Sequence, residues 1–298
     1  MEETVDMIKN KIHKYIVLAL SVLVIILVVL YVLQAKELKG YRDEFPFSKL
    51  HEGIIYAVAE NDENYQFDDT DEYILIRGIS ALYSKNILPT EIDETPIKII
   101  YSFKGIASNE FVVPDGISFI NATAFSTNTN LRKLVLPATA NTIGFGQTEY
   151  CYNLVELKVT DLDGNYISEN NCIIRKDEMS LIAGCQTSII PDKVKAIDTH
   201  AFMGQLYLKS ADIPRTVSSI GYKAFAECLS LKEIYIPSSV VEIENLAFWR
   251  CNNLTIYCEA ESKPDSWHDD WNLLNEENEQ IEVHWDVSRE KYEKIISE

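Results

Sequence analysis

Basic side chains are scarce in this sequence. It has 27 lysines and arginines against 46 aspartates and glutamates, a formal net charge of -19 over 298 residues. A field of that sign repels phosphates and anionic headgroups, which excludes nucleic acid as a partner. Cysteine is also sparse. Six cysteines (Cys151, Cys172, Cys185, Cys228, Cys251 and Cys258) are too few and too scattered to frame a small disulfide scaffold. No C-x-x-C pair occurs, which argues against a structural zinc site. There are five histidines, none in a recognisable constellation with serine, cysteine or aspartate, and no glycine-rich phosphate loop. The expectation is a protein that is not an enzyme and carries no cofactor.

Hydrophobic residues are plentiful, at 47%, enough for a sizeable core. The segment Ile16 to Leu33 holds no charge, and with Tyr15 it has about the length that crosses a bilayer. It exceeds the apolar run of a cleavable signal peptide, and only Ala35 suits a cleavage position after it. An uncleaved transmembrane helix over 15–33 is therefore expected. Flanking charge does not orient it, because Lys9, Lys11 and Lys14 are matched by Lys36, Lys39 and Arg42. The ordinary use of one helix at this position places 1–14 in the cytoplasm and the rest outside the cell.

Beyond a charged linker over 34–52, the chain repeats itself. Aliphatic-proline pairs stand at Val113-Pro114, Leu136-Pro137, Ile190-Pro191, Ile213-Pro214 and Ile236-Pro237, with three of the four intervals equal to 23 residues. Ala-Phe pairs recur at 124–125, 201–202, 224–225 and 247–248, each phenylalanine five residues after an isoleucine. Leu131, Leu154, Leu208, Leu231 and Leu254 form a further column. Such a period predicts a solenoid in which each coil buries its apolar row only by stacking on its neighbours. "LKEIYIP" alternates as a half-buried strand that Pro237 ends, and stacking turns these strands into a parallel sheet. Ile243 and Phe248 then point inward, and Ala247 allows close approach.

These columns together, "I....AF..C..L..I.IP..V", resemble the BspA-like, or bacterial surface antigen type, leucine-rich repeat over roughly residues 85–260. The resemblance implies a secreted or surface-attached protein that binds a partner. Residues 53–105 read as an N-terminal β cap, 106–260 as the repeats, and 261–298 as a C-terminal cap and tail. Trp267, Trp271 and Trp285 are expected to cover that second end, and "SREKYEKIISE" to be a short surface helix or a frayed tail. Two departures stand out. Gln147-Thr148 replaces Ala-Phe, with Phe145 as the expected core substitute. Between about 160 and 189, two apolar runs around Lys176-Asp177-Glu178 predict an inserted β-hairpin.

Candidate chemistry reduces to a few motifs. Cys151, Cys228 and Cys251 share one column and read as small core residues, with a Cys228–Cys251 disulfide sterically conceivable. "DLDGN" (Asp161 to Asn165) opens like a calcium loop, but its glycine is early and no acid follows at the twelfth position, so a turn is expected. His268, Asp269, Asp270 and His284 could serve a metal-assisted hydrolase only in the weakest reading. Asn121 and Asn253 lie in glycosylation-type sequons.

The remaining candidate is the outward row of the sheet. Alternation places Val135, Lys158, Asp212, Tyr235 and Tyr257 at equivalent positions, flanked by Arg132, Lys133, Glu156, Lys209, Lys232 and Glu233. Tyr235 beside Tyr257 is the kind of aromatic pair that anchors an interface. The expected function is a monomeric, membrane-anchored extracellular repeat protein that binds or adheres to a protein or glycan through this face. The alternative is a scaffold for a membrane complex of the same cell.

Overall fold

A computed structural model describes residues 49–60, 67, 70–79 and 83–297. The helix expected over 15–33 lies outside the described residues, and no helix among those described is long and apolar enough to cross a membrane.

The described coils contribute to two sets of strands. One set, of three or four residues except for Ala211–Asp212, forms one face: Glu110–Val112, Lys133–Leu136 and Glu156–Val159, then Ala211–Asp212, Glu233–Ile236, Thr255–Cys258 and Glu282–His284. Two-residue strands form another: Phe119–Ile120 and Thr142–Ile143, then Ala196–Ile197, Ser219–Ile220 and Glu242–Ile243. Within each set the neighbours pair in parallel, with the repeat columns in register, as in Leu134 beside Leu157 and Ile220 beside Ile243. Ahead of them, Ile54–Glu60 runs antiparallel to Glu72–Ile79, which pairs in parallel with Thr95–Ile100. The proline of each Ile-Pro pair accepts the bond that turns the chain: the amides of Val194, Val217 and Val240 donate to the carbonyls of Pro191, Pro214 and Pro237 at 3.0 Å. Each of those valines is buried.

Inside, Phe202, Phe225 and Phe248 stack with ring centroids 5.1 and 5.6 Å apart and planes within 7° of parallel. Trp271 closes the stack edge-on at 5.9 Å. The backbone around each ring is specialised. Positions two before and two after the phenylalanine column hold left-handed φ, including Thr123, Thr127, His200, Lys223, Glu227, Leu246 and Arg250. All of these amides except that of Lys223 bond along the stack: His200 donates to Tyr222 O (3.0 Å), Glu227 to Trp249 O (2.7 Å) and Leu246 to Asp270 O (2.9 Å). Left-handed backbone is unfavourable for ordinary residues, and here a bond to the next coil compensates it at each turn. Gly204 takes one of these positions (φ 69°), where a Cβ would stand 2.8 Å from the Tyr150 amide nitrogen.

The insert is more than a hairpin. Tyr166–Glu169, Cys172–Arg175 and Ser180–Ala183 make an antiparallel meander, turning first at Asn170-Asn171, both left-handed, and then at 176–179 as expected. The last strand rejoins the solenoid by pairing in parallel with Ala196–Ile197. Ile173 and Ile182 enter one hydrophobic cluster while Cys172, Ile174 and Leu181 enter another. Both faces are therefore buried, which is why the sequence shows continuous apolar runs there and no alternation.

The irregular coil corrects one expectation. Phe145 is not in the core: it is 45% exposed, edge-on to His200 at 5.3 Å. It lies two residues after Ile143, where the chain turns at the surface, whereas the inward position falls at Thr148. Gln147, in the alanine column beside it, is buried, its Nε2 donating to Asn121 O (2.7 Å) and Gly144 O (2.9 Å) while its Oε1 is left without a partner among the described residues. The coils on either side of the insert still touch: Gln205 Nε2 donates to Thr148 O (2.6 Å), and His200 Nδ1 meets Glu149 Oε1.

A three-coil staple finishes the long-strand face. Glu259 accepts both guanidinium nitrogens of Arg215 (2.6 and 2.9 Å) and the amide and hydroxyl of Ser238 (2.8 and 2.7 Å). The Arg215 bonds, aided by Ser238 and opposed by burial, hold its carboxyl down at about 2 against an ordinary 4.5. A depressed pKa contributes stability above the ordinary value and loses it as pH falls toward the folded one. Acid titration of thermal stability is expected to show a loss between about pH 4.5 and 2 that Glu259→Gln flattens; an unchanged profile would contradict the staple. Phe225→Ala is expected to cost about 3–5 kcal/mol, read from denaturant midpoints.

Candidate functional site

The outward row is in register but in two parts. Val135 pairs with Val112 on one side and Lys158 on the other, while Asp212, Tyr235, Tyr257 and His284 follow one another across the second sheet. The insert separates the two segments, so the five positions aligned in the sequence do not form one continuous row. In the first segment Arg132 and Lys158 are exposed and Val135 is half-buried. Glu156 bridges Lys158 (2.6 Å) and Lys133 (3.5 Å), and the bond from Lys158 draws its carboxyl below the usual range. Lys209, Lys232 and Asp212 are exposed in the second segment, with Glu233 half-buried.

Tyr235 departs most from expectation. Its ring points outward as alternation requires, yet it is 0% exposed. The helix Arg289–Ser297 covers it. The Arg289 guanidinium sits 4.4 Å from the Tyr235 ring centre, with Nη1 2.5 Å from Asp212 Oδ1 and Nη2 3.3 Å from Ile213 O. Tyr292 lies 5.2 Å from Tyr235 and 5.3 Å from Tyr257, touching both rings. On the other side of Tyr257, His284 stacks at 5.0 Å with planes 15° apart. Burial, then the nearby carboxylates of Glu233 and Asp212, push the Tyr292 hydroxyl up to about 12, so it stays neutral.

Arg289 and Tyr292 were not singled out in the sequence, and His284 was considered only as a metal-ligand candidate. The alternation of Ile281, Val283 and Trp285 carries a signal for a strand that would set His284 beside Tyr257. The i, i+3 spacing of Arg289 and Tyr292 puts them on one helix face, but nothing local says which surface that face meets.

The other motifs have structural duties. All six cysteines are free and buried. The cysteine column is a hydrogen-bonding column: Cys151 Sγ donates to Phe125 O (3.3 Å), Cys228 to Phe202 O (3.3 Å) and Cys251 to Phe225 O (3.0 Å). Asn128 and Gln205 fill the same column and serve the carbonyls of Phe103 and Thr148. In the "DLDGN" stretch, Asp163 pairs with Lys176 and the Asn165 amide donates to Ala140 O (2.9 Å). His268 Nδ1 accepts the Asp270 amide at 3.0 Å. Among the described residues, no group of three or more histidines, cysteines or carboxylates is gathered to hold a metal ion. Asn121 and Asn253 are exposed, although the Asn253 amide donates to Leu229 O (3.1 Å). Trp267, Trp271 and Trp285 cluster with centroids 4.8 to 6.3 Å apart.

Comparison with known proteins places this geometry. The family described as BspA type leucine rich repeat region matches in six copies over residues 97–183 and 173–261, more than half of the chain. Similar solved structures include a leucine-rich repeat protein from Eubacterium ventriosum, 19% identical over 73% of this chain and 73% of that one, with a TM-score of 0.44. A leucine rich cell surface protein from Faecalibacterium prausnitzii is 15% identical over 83% of this chain and 97% of its own, with a TM-score of 0.39. The pneumococcal vaccine antigen PcpA is 13% identical over 84% and 96%, with a TM-score of 0.31. No curated protein sequence matches the chain.

Burial pushes the thiols of Cys151, Cys172, Cys251 and Cys258 up to about 12, and that of Cys228 well above its usual range. Thiolate is the reactive form, so a thiol-titrating reagent at about pH 8 is expected to find these groups silent until denaturant is added. Rapid labelling of the native chain would contradict the column.

Proposed function

Because this chain belongs to the BspA-type leucine-rich repeat family, we propose that it is a binding protein whose solenoid is held outside the cell by the apolar segment at 15–33. It works as a monomer and engages a protein or glycan through the face formed by its longer strands. A solenoid of this kind offers an extended surface and no convergent catalytic group. The carrying observation is the division of labour along each strand. Inward columns repeat and are buried, whereas the outward positions change from Val135 to Lys158 to Asp212 to Tyr235 without cost to the stack. Outside the interior packing, with Tyr235 alone among them covered by helix Arg289–Ser297, those side chains are the part of the molecule that can be specified by a partner.

Among the described residues, no helix covers the first sheet segment, where Arg132 and Lys158 are exposed cations on a strongly acidic chain. They favour a partner that brings carboxylates, sulfates or carbonyl oxygens to that edge, and the surrounding acidic field narrows the choice to where those cations stand. Lys209, Lys232 and Glu233 form the corresponding rim of the second segment.

Two measurements check the reading. Protease shaving of intact cells carrying the full chain is expected to remove the repeats; their survival would place them inside and defeat the proposal. The double substitution Arg132→Glu and Lys158→Glu is expected to leave the melting temperature unchanged while weakening capture of the partner from the native surroundings by about tenfold or more. Undiminished capture would move the site off this face.

A further inference from the structure

The second segment of the outward row is already filled, and its occupant states what the row accepts. Asp212 takes a guanidinium, the Tyr235 ring lies under that same cation, and Tyr235 and Tyr257 together hold a third aromatic ring. Carboxylate, cation and ring face are thus matched in one compact set, which is the combination of anchors found at the centres of protein interfaces.

The occupant is lightly held. Helix Arg289–Ser297 has nine residues, none of them buried, and a segment so short does not persist as a helix without the surface it lies on. Arg289 and Tyr292 are its two anchors. Ile296, one turn further along the same stripe, remains 48% exposed. The receiving side, by contrast, is rigid: Asp212, Tyr235 and Tyr257 sit on paired strands in register. A fixed surface facing a marginal helix is the arrangement in which one ligand can replace another.

We propose that Asp212, Tyr235 and Tyr257 form a docking row for a helical segment of a partner protein that presents an arginine followed three residues later by a tyrosine, and that helix Arg289–Ser297 occupies the row until such a segment displaces it. The inference rests on the reading that the long-strand face binds partners, and it names the chemistry that this half of the face selects. The acidic side chains of Glu233 and Asp212 at the row favour a basic segment and disfavour an acidic one. Occupation by the chain's own helix lowers the apparent affinity for an outside segment by the fraction of time that the row is open.

The test uses the full chain in detergent and a synthetic peptide, DVSREKYEKIIS, that copies residues 286–297. The variant Arg289→Ala/Tyr292→Ala opens the row and is expected to bind this peptide at least about tenfold more tightly than the unaltered chain. A peptide with the same two positions changed to alanine is expected not to bind. Adding Asp212→Asn or Tyr235→Ser to the open variant is expected to abolish binding, with the melting temperature of each variant recorded to show that it is folded. Equal binding by the open and unaltered chains, or no binding by either, overturns the proposal. If the peptide fails while partner capture still depends on Arg132 and Lys158, only the docking row is lost and the wider binding role stands.

Discussion

The structure depends on one contact repeated along its length: the packing of a buried ring on the ring of the next coil, held in place by left-handed turns whose amides bond across the gap. Neither half works alone. A coil of about 23 residues has too little interior to bury its own apolar row, and its turn positions adopt a backbone that ordinary side chains disfavour. Stacking resolves both, since Phe225 finds Phe202 and Phe248 on its two faces while the amides of Phe225 and Glu227 find carbonyls in the following coil. The thiols and amides of the neighbouring column, Cys228, Cys251, Gln205 and Asn128, bond backwards to the preceding coil. Each coil is thereby tied in both directions.

That rule explains how the fold absorbs its irregularities. Where Thr148 stands in the ring column the aromatic stack is broken, and polar contacts take over: Gln147 bonds within its own turn and back one coil, and Gln205 reaches across to the Thr148 carbonyl. The inserted meander enters at this point. Its buried strands feed a hydrophobic cluster on each side, so the interior continues through the insert even though the outward sheet is divided by it. Division of that sheet is what gives the described chain two unlike outward segments, one with exposed cations at Arg132 and Lys158, one aromatic and covered at Tyr235.

Legibility followed periodicity. The Ala-Phe, leucine and Ile-Pro columns could be read as a solenoid because buried positions repeat with the coil, and the inward and outward assignment of each strand residue followed from alternation. The errors fell at one local offset and at one contact distant in sequence. Phe145 looked like a displaced core ring because its chemistry suited the core, but its offset from Ile143 puts it at a turn. Tyr235 was correctly assigned to the outward side, and its burial could not be foreseen, because Arg289 and Tyr292 reach it from more than fifty residues away. The cysteine column was recognised as a column, but its duty as a set of donors became visible only once the carbonyls opposite it were in place.

The central claim is that the turns are held by the stack and do not behave as surface loops. Native-state hydrogen exchange measures this directly at the amides of His200, Phe202, Phe225 and Glu227, which lie outside helices and strands and donate to the following coil. They are predicted to be as protected as the strand amides of Ile234 and Ile256 and to open together with them. Exchange of these four amides at the rate of exposed loops, while the strands stay protected, would contradict the account.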